Sequence, residues 1–333
     1  MNDYDTLIDS LLSKGMTPYI VLVYSNKLYG EDGATFKTEA GKRGYVKYVE
    51  AVTKRYAGKG IIWEIYNEPN GFWGNSYHKE YAELDIDAAK TIRKNDPTGY
   101  IVAPAVAGLA PGSFEYLENV FKVGLLEYID AVSVHPYRSW EPETAWYEYD
   151  VLRKLIKKYT DKELRIVNGE WGYSTTQGWW DLYLTEKQQA AYAVRMFLTD
   201  RMNDVDISIW YNWKDNSDDR NNSEHNFGLL KANATPKDSY YAMDTFHEIT
   251  AGYEFKSRLD VKNDDDYLVK FTNKDNKTVY VAWTVGSTHK AKLPLTDVKG
   301  QIKDMFGKKQ SDYNGAVNTS ITLSETPVYI IVE

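Results

Sequence analysis

The stretch IIWEIYNEP, residues 61–69, is an apolar run that ends in a carboxylate at Glu68. The stretch LRIVNGEWG, residues 164–172, has the same form and carries Glu170 near its end. Runs of this length and composition are typical of strands that are buried on both faces. Because an unpaired buried carboxylate is costly, each glutamate needs either a partner or a function. Two such strand ends in one chain indicate a functional site.

Similar apolar runs recur on both sides of these two stretches, and helical patterns separate them. The further strands are predicted at residues 19–26, 100–106, 129–137 and 206–213, and the helices between Asp3 and Gly15 and near residues 39–56, 77–94, 143–159, 185–203 and 236–249. Strands that alternate with helices run parallel, so the fold class is α/β, as a doubly wound sheet or a TIM-type (β/α) barrel. Six strands are predicted, fewer than the eight of a closed barrel.

The last part of the chain has a different pattern. Short alternating runs at residues 267–273, 278–285, 320–324 and 327–332 are separated by polar turns, which is typical of a small all-β sandwich. The predicted boundary lies near Ala251 and Gly252. Residues 1–250 would then form the barrel, and residues 251–333 would form the sandwich.

Composition excludes several classes of function. The 333 residues contain 40 basic and 48 acidic side chains, a net charge of -8, which disfavours binding to nucleic acid or to an anionic membrane surface. No apolar run reaches the ~20 residues that span a membrane. The opening residues MNDYDTLIDS lack the pattern of a signal peptide. Neither zinc-type histidine spacing nor a phosphate loop is found, so we expect no metal and no cofactor.

Aromatic residues make up 14% of the chain, with 10 Trp and 28 Tyr. Flat amphipathic rings bind the C–H faces of sugars, so this composition favours a neutral carbohydrate partner. Cleavage of a glycosidic bond requires one protonated carboxyl and one carboxylate. Glu68 and Glu170 can supply both if their surroundings separate their pKa values.

The motifs around these glutamates resemble those of clan A of the glycoside hydrolases, in which one strand ends in Asn-Glu-Pro and a later strand ends in the nucleophilic Glu. The segments WEIYNEPNGFW, DAVSVHPYR, NGEWGYS, SIWYNWKD and EHNFG are most similar to bacterial proteins near glycoside hydrolase family 39, and the likeness continues into the sandwich. The resemblance covers nearly the whole chain. It implies a barrel enzyme that retains anomeric configuration, with Glu68 as acid/base and Glu170 as nucleophile.

The same resemblance implies roles for further residues. Asn67 would hold the 2-hydroxyl of the bound sugar, and His135 and Tyr137 would lie beside the nucleophile. Trp213 would be the stacking floor of that subsite, and Trp171 is a further candidate. Outer sugar contacts are expected from Trp73, from the pair Trp179 and Trp180, and from His225 in the polar loop 214–226. Glu64, inside the strand, is interpreted as a paired structural charge.

The chain departs from its relatives at the start, where they have two further strands and the family's basic residue near the nucleophile. A barrel that lacks two strands exposes two edges and an apolar interior. We therefore expect a second copy to cover the opening, as a homodimer, and catalysis to be weakened or lost if nothing replaces the basic residue. The resemblance also implies an extracellular location for the intact relatives.

Three functions remain open at this stage. The first is endo-hydrolysis of a β-linked plant cell-wall or matrix polysaccharide, such as xylan or β-glucan, since many aromatic residues would provide several subsites. The second is an exo-acting β-xylosidase or arabinoside-releasing enzyme. The third is a catalytically impaired carbohydrate-binding protein.

Overall fold

The computed structural model describes residues 2–29, 38–176, 178, 180–296, 298–315 and 320–333. The helices are α1 (Asn2–Ser13), α2 (Glu39–Arg55), α3 (Pro69–Phe72), α4 (His78–Asn95), α5 (Pro111–Val123), α6 (Ala145–Tyr159), α7 (Glu186–Met202) and α8 (Asp238–Thr250). The strands are β1 (Tyr19–Leu22), β2 (Ile62–Ile65), β3 (Tyr100–Ala107), β4 (Ala131–His135), β5 (Arg165–Trp171), β6 (Val205–Trp210), β7 (Tyr253–Arg258), β8 (Asp266–Asn273), β9 (Thr278–Thr284), β10 (His289–Lys292), β11 (Lys299–Lys303), β12 (Lys309–Asn314), β13 (Ser320–Leu323) and β14 (Val328–Val332). In these ranges, none of the helices combines the length and the apolar character needed to cross a membrane.

The first compact unit contains the chain up to Tyr137, Tyr147–Trp171 and Val205–Ile209. Its strands form one sheet in the order β1-β2-β3-β4-β5-β6, and the pairings from β1 to β5 are parallel. The sheet is a curled half-barrel with six strands, so the predicted incomplete (β/α) barrel is confirmed. Parallel order places the carboxyl ends of neighbouring strands along one rim, where barrel active sites form.

An apolar layer supports this rim from within the sheet. Val102, Ala131 and Val167 are fully buried and pack with Ile62 and other partly buried residues of the sheet. Side chains two residues apart in a strand share a face, so Glu64 lies on the same face as Ile62, one step closer to the rim. The interior of the half-barrel therefore changes from apolar to ionisable toward the carboxyl ends of the strands.

The second compact unit contains Arg138–Trp146, Gly172–Asp204 and Trp210–Glu333. Its larger sheet has the order β12-β11-β14-β9-β8-β7, and β10 pairs with β13 in a smaller one. Successive residues of β9 lie on opposite faces of the sheet. Val281 packs with α7 and α8, whereas Ala282 packs with β13. The predicted β-sandwich is confirmed, and one of its faces is covered by helices.

The pattern analysis located most elements but not all of them. The capping box at the start of α7 is confirmed, because Thr185 and Gln188 exchange hydrogen bonds between side chain and backbone. The prediction omitted α5 and the strands β7 and β10 to β12. β12, KQSDYN, has almost no apolar residue, so local pattern could not reveal it. The boundary at residues 250 and 251 concerns independent folding and stays a prediction, although α7 and α8 cluster with the C-terminal strands.

Candidate active site

The chain turns sharply after β2, and this turn presents Glu68. Tyr66 and Glu68 both have positive φ, 69° and 48°, a region that costs a non-glycine residue about 1–3 kcal/mol. The backbone N–H of Glu68 donates to the carbonyl of Ala105 in β3, at 2.9 Å. Pro69 then begins α3, a position that suits proline. Sheet and helix together hold the carboxylate at the rim.

Glu68 and Glu170 meet at this rim beside His135. One ligand atom from each of the three residues lies within 4.8 Å of the other two. Nδ1 of His135 is 3.2 Å from Oε1 of Glu68 and 4.0 Å from Oε2 of Glu170. The His135 ring is buried, whereas both glutamate side chains are 27% exposed. Solvent and a ligand can therefore reach the carboxyls but not the imidazole.

Tyr137 lies beside Glu170, as the resemblance implied. Its hydroxyl donates to Oε1 of Glu170 at 2.7 Å. Burial raises the pKa of Glu170, whereas His135 and the Tyr137 hydrogen bond lower it, and the charge of Glu68 raises it again. The pKa of Glu170 is raised overall, with burial as the largest cause.

Glu64 adds a third carboxylate to this group. It is buried, accepts a hydrogen bond from the Tyr19 hydroxyl at 2.8 Å, and has Oε1 3.8 Å from Nε2 of His135. Burial lowers the pKa of His135, but interactions with Glu64, Glu68 and Glu170 raise it to about 10. The ring is therefore a cation at neutral pH. Sequence reasoning identified Glu64 as a paired charge but missed its partner, since only the register of the sheet brings these strands together.

Asn67 points to the same rim. Its Nδ2 donates to the hydroxyl of Tyr24, which follows β1, at 3.3 Å. The Tyr24 ring also meets the rings of Tyr66 and Phe72 edge-on, with centroids 6.3 and 6.0 Å apart. Tyr24 is thus a rim residue that the pattern analysis did not single out.

Two of the predicted sugar platforms are buried. Trp171 is 0% exposed, and Trp73 is 5% exposed and packs against Tyr66 and Tyr81. A ring without accessible surface cannot stack on a sugar, so we correct these two assignments to core packing. Their positions near Glu68 and Glu170 in the sequence were a misleading signal, because a residue close to a strand-end glutamate can still point into the fold.

The remaining candidates lie in the second unit. Trp180 and Trp213 are 58% and 63% exposed, so their rings are available for stacking. His225 is held within the polar loop, where Nδ1 meets the Ser217 hydroxyl at 2.7 Å. Trp179 lies outside the described residues.

The spacing of Glu68, His135 and Glu170 would allow a cation to bridge them. Metal ions bind the neutral imidazole of histidine, which requires a lone pair on the ligating nitrogen. Binding of such a cation would require His135 to lose a proton, because its Nδ1 faces Oε1 of Glu68 at 3.2 Å.

Comparisons with known proteins agree with this geometry. A family model described as Cellulase (glycosyl hydrolase family 5) matches residues 1–217. A family 39 glycoside hydrolase from the gut symbiont Bacteroides cellulosilyticus WH2 has a similar structure, with a TM-score of 0.85 and 22% identity over 100% of this chain and 71% of that one. A family 39 β-xylosidase from Caulobacter crescentus gives a TM-score of 0.64 at 18% identity, over 99% and 82% of the two chains.

The catalytic domain of the family 30 xylanase C from Talaromyces cellulolyticus gives a TM-score of 0.59 at 14% identity, over 98% and 78% of the two chains. At these identities the solved structures establish the fold alone. A search of curated proteins found no match.

A half-barrel with two glutamates at the rim, together with these matches, defines a glycoside hydrolase of clan A. The chain belongs to the family that the matching model describes, the cellulases of glycosyl hydrolase family 5, and its solved structural neighbours are glycosidases of family 39 and related clan A families.

Proposed function

We propose that the protein hydrolyses a β-linked glycan with retention of configuration, with Glu68 as acid/base and Glu170 as nucleophile. The observation that carries the proposal is the close approach of the two carboxyls, whose ligand oxygens lie within 4.8 Å of each other. Retaining enzymes separate the two groups by about 5–5.5 Å, whereas inverting enzymes need about 6.5–9.5 Å to admit a water molecule. The approach of the two carboxyls to within 4.8 Å is shorter than the inverting range and supports double displacement.

In the first step, Glu170 attacks the anomeric carbon while Glu68 gives its proton to the leaving oxygen. In the second step, Glu68 takes a proton from water, and the water displaces Glu170 from the glycosyl-enzyme. In this proposal the Tyr137 hydroxyl, which donates to Glu170, orients the nucleophile, and Asn67 binds the 2-hydroxyl of the sugar.

The proposed substrate is a plant cell-wall or matrix polysaccharide of the xylan or β-glucan type, cleaved internally. Trp180 and Trp213 of the second unit have exposed rings, which are available for stacking on sugars. Two of the similar structures are described as a β-xylosidase and a xylanase, which favours a xylan-type backbone.

A panel of β-glycans tests the activity, and Glu170→Ala tests the mechanism. We expect the variant to lose hydrolysis and to regain turnover with azide, yielding a glycosyl azide of inverted configuration. Glu83→Gln, an exposed helix residue, is the control and should match the wild type. Activity that survives in Glu170→Ala without azide would refute the assignment.

Product analysis separates the two enzymatic alternatives. Oligosaccharides of intermediate length early in digestion indicate endo-action, as proposed. Monosaccharide as the sole early product would indicate an exo-acting β-xylosidase or arabinoside-releasing enzyme instead.

A second candidate function is carbohydrate binding without efficient catalysis. It is favoured by the half-barrel, whose sheet ends at β1 and β6 in the described part of the chain. If wild type and Glu170→Ala hydrolyse every glycan equally poorly while both still bind, this candidate replaces the first.

The same open sheet supports the proposal of a homodimer in which a second copy covers the exposed strands. Sedimentation at micromolar concentration should then show a dimer. A compact monomer that binds no hydrophobic dye would contradict it.

A further inference from the structure

Glu64 is a buried carboxylate that the double-displacement mechanism does not use. It is 1% exposed and lies in β2, four residues before Glu68. The Tyr19 hydroxyl binds its Oε1, and the same oxygen faces Nε2 of His135. A buried carboxylate without a compensating charge is costly, and His135 is the basic side chain that contacts Glu64.

Gly169 shows how closely the sheet is built around Glu64. A Cβ at this position in β5 would lie 2.5 Å from Oε1 of Glu64, 3.0 Å from the Tyr19 hydroxyl and 3.2 Å from Nε2 of His135. Only glycine leaves room for the three groups to converge beside the strand. The residue that follows Gly169 is Glu170, so the packing of Glu64 is coupled to the position of the nucleophile.

His135 has carboxylates at both of its ring nitrogens. Nδ1 faces Glu68 and Glu170, and Nε2 faces Glu64. An imidazole can present a hydrogen on both sides only when it is protonated. The 3.8 Å contact of Nε2 with Glu64 is a charge contact and not a hydrogen bond, so the ring attracts Glu64 while it donates from Nδ1 to Glu68 only if it is a cation.

We propose that Glu64 is a positioning residue that keeps His135 as an imidazolium, with its Nδ1–H directed at the catalytic pair. The inference rests on the proposed function of Glu68 and Glu170, although the Glu64–His135 pair can be measured independently of activity. The titratable groups that face the ring come from β1 (Tyr19), β2 (Glu64), the turn after β2 (Glu68) and β5 (Glu170). Tyr137 faces Glu170 from the segment after β4.

The charge count of the cluster gives the consequence for catalysis. With Glu64 and one catalytic carboxyl ionised, the imidazolium leaves one net negative charge, and loss of the last proton from the pair would add another. Glu64 therefore opposes that loss and keeps a proton available for the leaving group. It also holds the positive charge that stabilises the ionised nucleophile.

The first test is NMR spectroscopy of the wild-type protein. The chain has 5 histidines, and His135 is assigned by the signal missing from His135→Gln. We expect both of its ring nitrogens to have imidazolium shifts at about pH 8, where an unperturbed histidine is neutral. In Glu64→Gln, which keeps an acceptor for Tyr19 but removes the charge, the ring should titrate at least about one unit lower.

The second test is the pH dependence of kcat/KM. Removal of the Glu64 charge makes it easier for the catalytic pair to lose its last proton. The alkaline limb of the Glu64→Gln profile should therefore move at least about one pH unit lower, and kcat/KM at pH values above that limb should fall about tenfold. Glu64→Asp should recover part of the shift. Asp96→Asn is the matched control: Asp96 accepts from Nε1 of Trp63, next to Glu64 in β2, and its loss should lower stability without moving the limb.

The outcomes separate the two proposals. A neutral His135 in the wild type at about pH 8 overturns the inference without any variant, even if Glu64→Gln does not fold. The inference is also overturned if a folded Glu64→Gln protein shows the wild-type titration of His135 and the wild-type alkaline limb of kcat/KM. If the His135 imidazolium depends on Glu64 but the protein hydrolyses no glycan, the Glu64–His135 interaction is supported and the proposed function is refuted.

Discussion

At the scale of single residues, Tyr137 is the clearest test of how Glu170, the proposed nucleophile, is held. Tyr137→Phe removes a hydrogen bond to a carboxylate, worth about 1.5–3 kcal/mol, so kcat/KM should fall about 10- to 100-fold. That hydrogen bond lowers the pKa of Glu170, so its loss raises the pKa. Because the nucleophile must be ionised, the acid limb of the pH profile should move to higher pH.

The control for this variant is Tyr116→Phe in the same unit. The Tyr116 hydroxyl is buried and has no hydrogen-bond partner within the described residues. In Tyr116→Phe, both kcat/KM and the acid limb of its pH profile should stay at wild-type values. An acid limb that is the same in Tyr137→Phe and in the wild type would contradict the assigned role.

Gly169 provides a second residue-scale prediction. In Gly169→Ala the new methyl group would displace Glu64, and overpacking of this kind costs about 1–3 kcal/mol of unfolding free energy. Activity should fall with stability, because Glu170 is the next residue. Gly112→Ala in α5, where nothing lies within 4 Å of the new methyl group, should leave both unchanged or slightly improve stability. Equal denaturation midpoints for Gly169→Ala and Gly112→Ala would contradict this prediction.

At the scale of elements, the start of α7 depends on its capping box. Thr185→Ala removes the acceptor for the backbone N–H of Gln188 and should lower unfolding free energy by about 1 kcal/mol. Thr91→Ala, a half-buried position within α4, should change it by less than about 0.5 kcal/mol. Urea denaturation of both proteins makes the comparison, and a Thr185→Ala midpoint equal to that of Thr91→Ala would show that the box is dispensable.

At the scale of the whole molecule, His135 links stability to pH. Its folded pKa is raised from an unfolded value of 6.5 to about 10, so the stability it contributes is complete below pH 6.5. That contribution is lost as pH rises from 6.5 toward 10. The thermal midpoint of the wild type should therefore decline across this window more steeply than that of His135→Gln. Parallel curves would contradict the raised pKa.

A second whole-molecule prediction concerns the boundary between residues 250 and 251. Val194 in α7 and Phe246 in α8 pack with Val281 and Trp283 of β9, so a fragment that ends at residue 250 would expose this core. We expect residues 1–250 expressed alone to bind hydrophobic dye or to aggregate. A soluble fragment with a cooperative unfolding transition would instead show that the predicted boundary separates independent folding units.

The sequence by itself determined the class of the protein, because the motifs around Glu68 and Glu170 that resemble clan A of the glycoside hydrolases are local patterns. It also determined the parallel sheet, since helices between strands force that order. Only the tertiary structure decided that Trp73 and Trp171 are buried, and that α7 and α8 pack with the C-terminal strands. It alone placed Glu64 against His135. Burial and proximity depend on sheet register and on contacts between distant segments, and neither leaves a periodic signal along the chain.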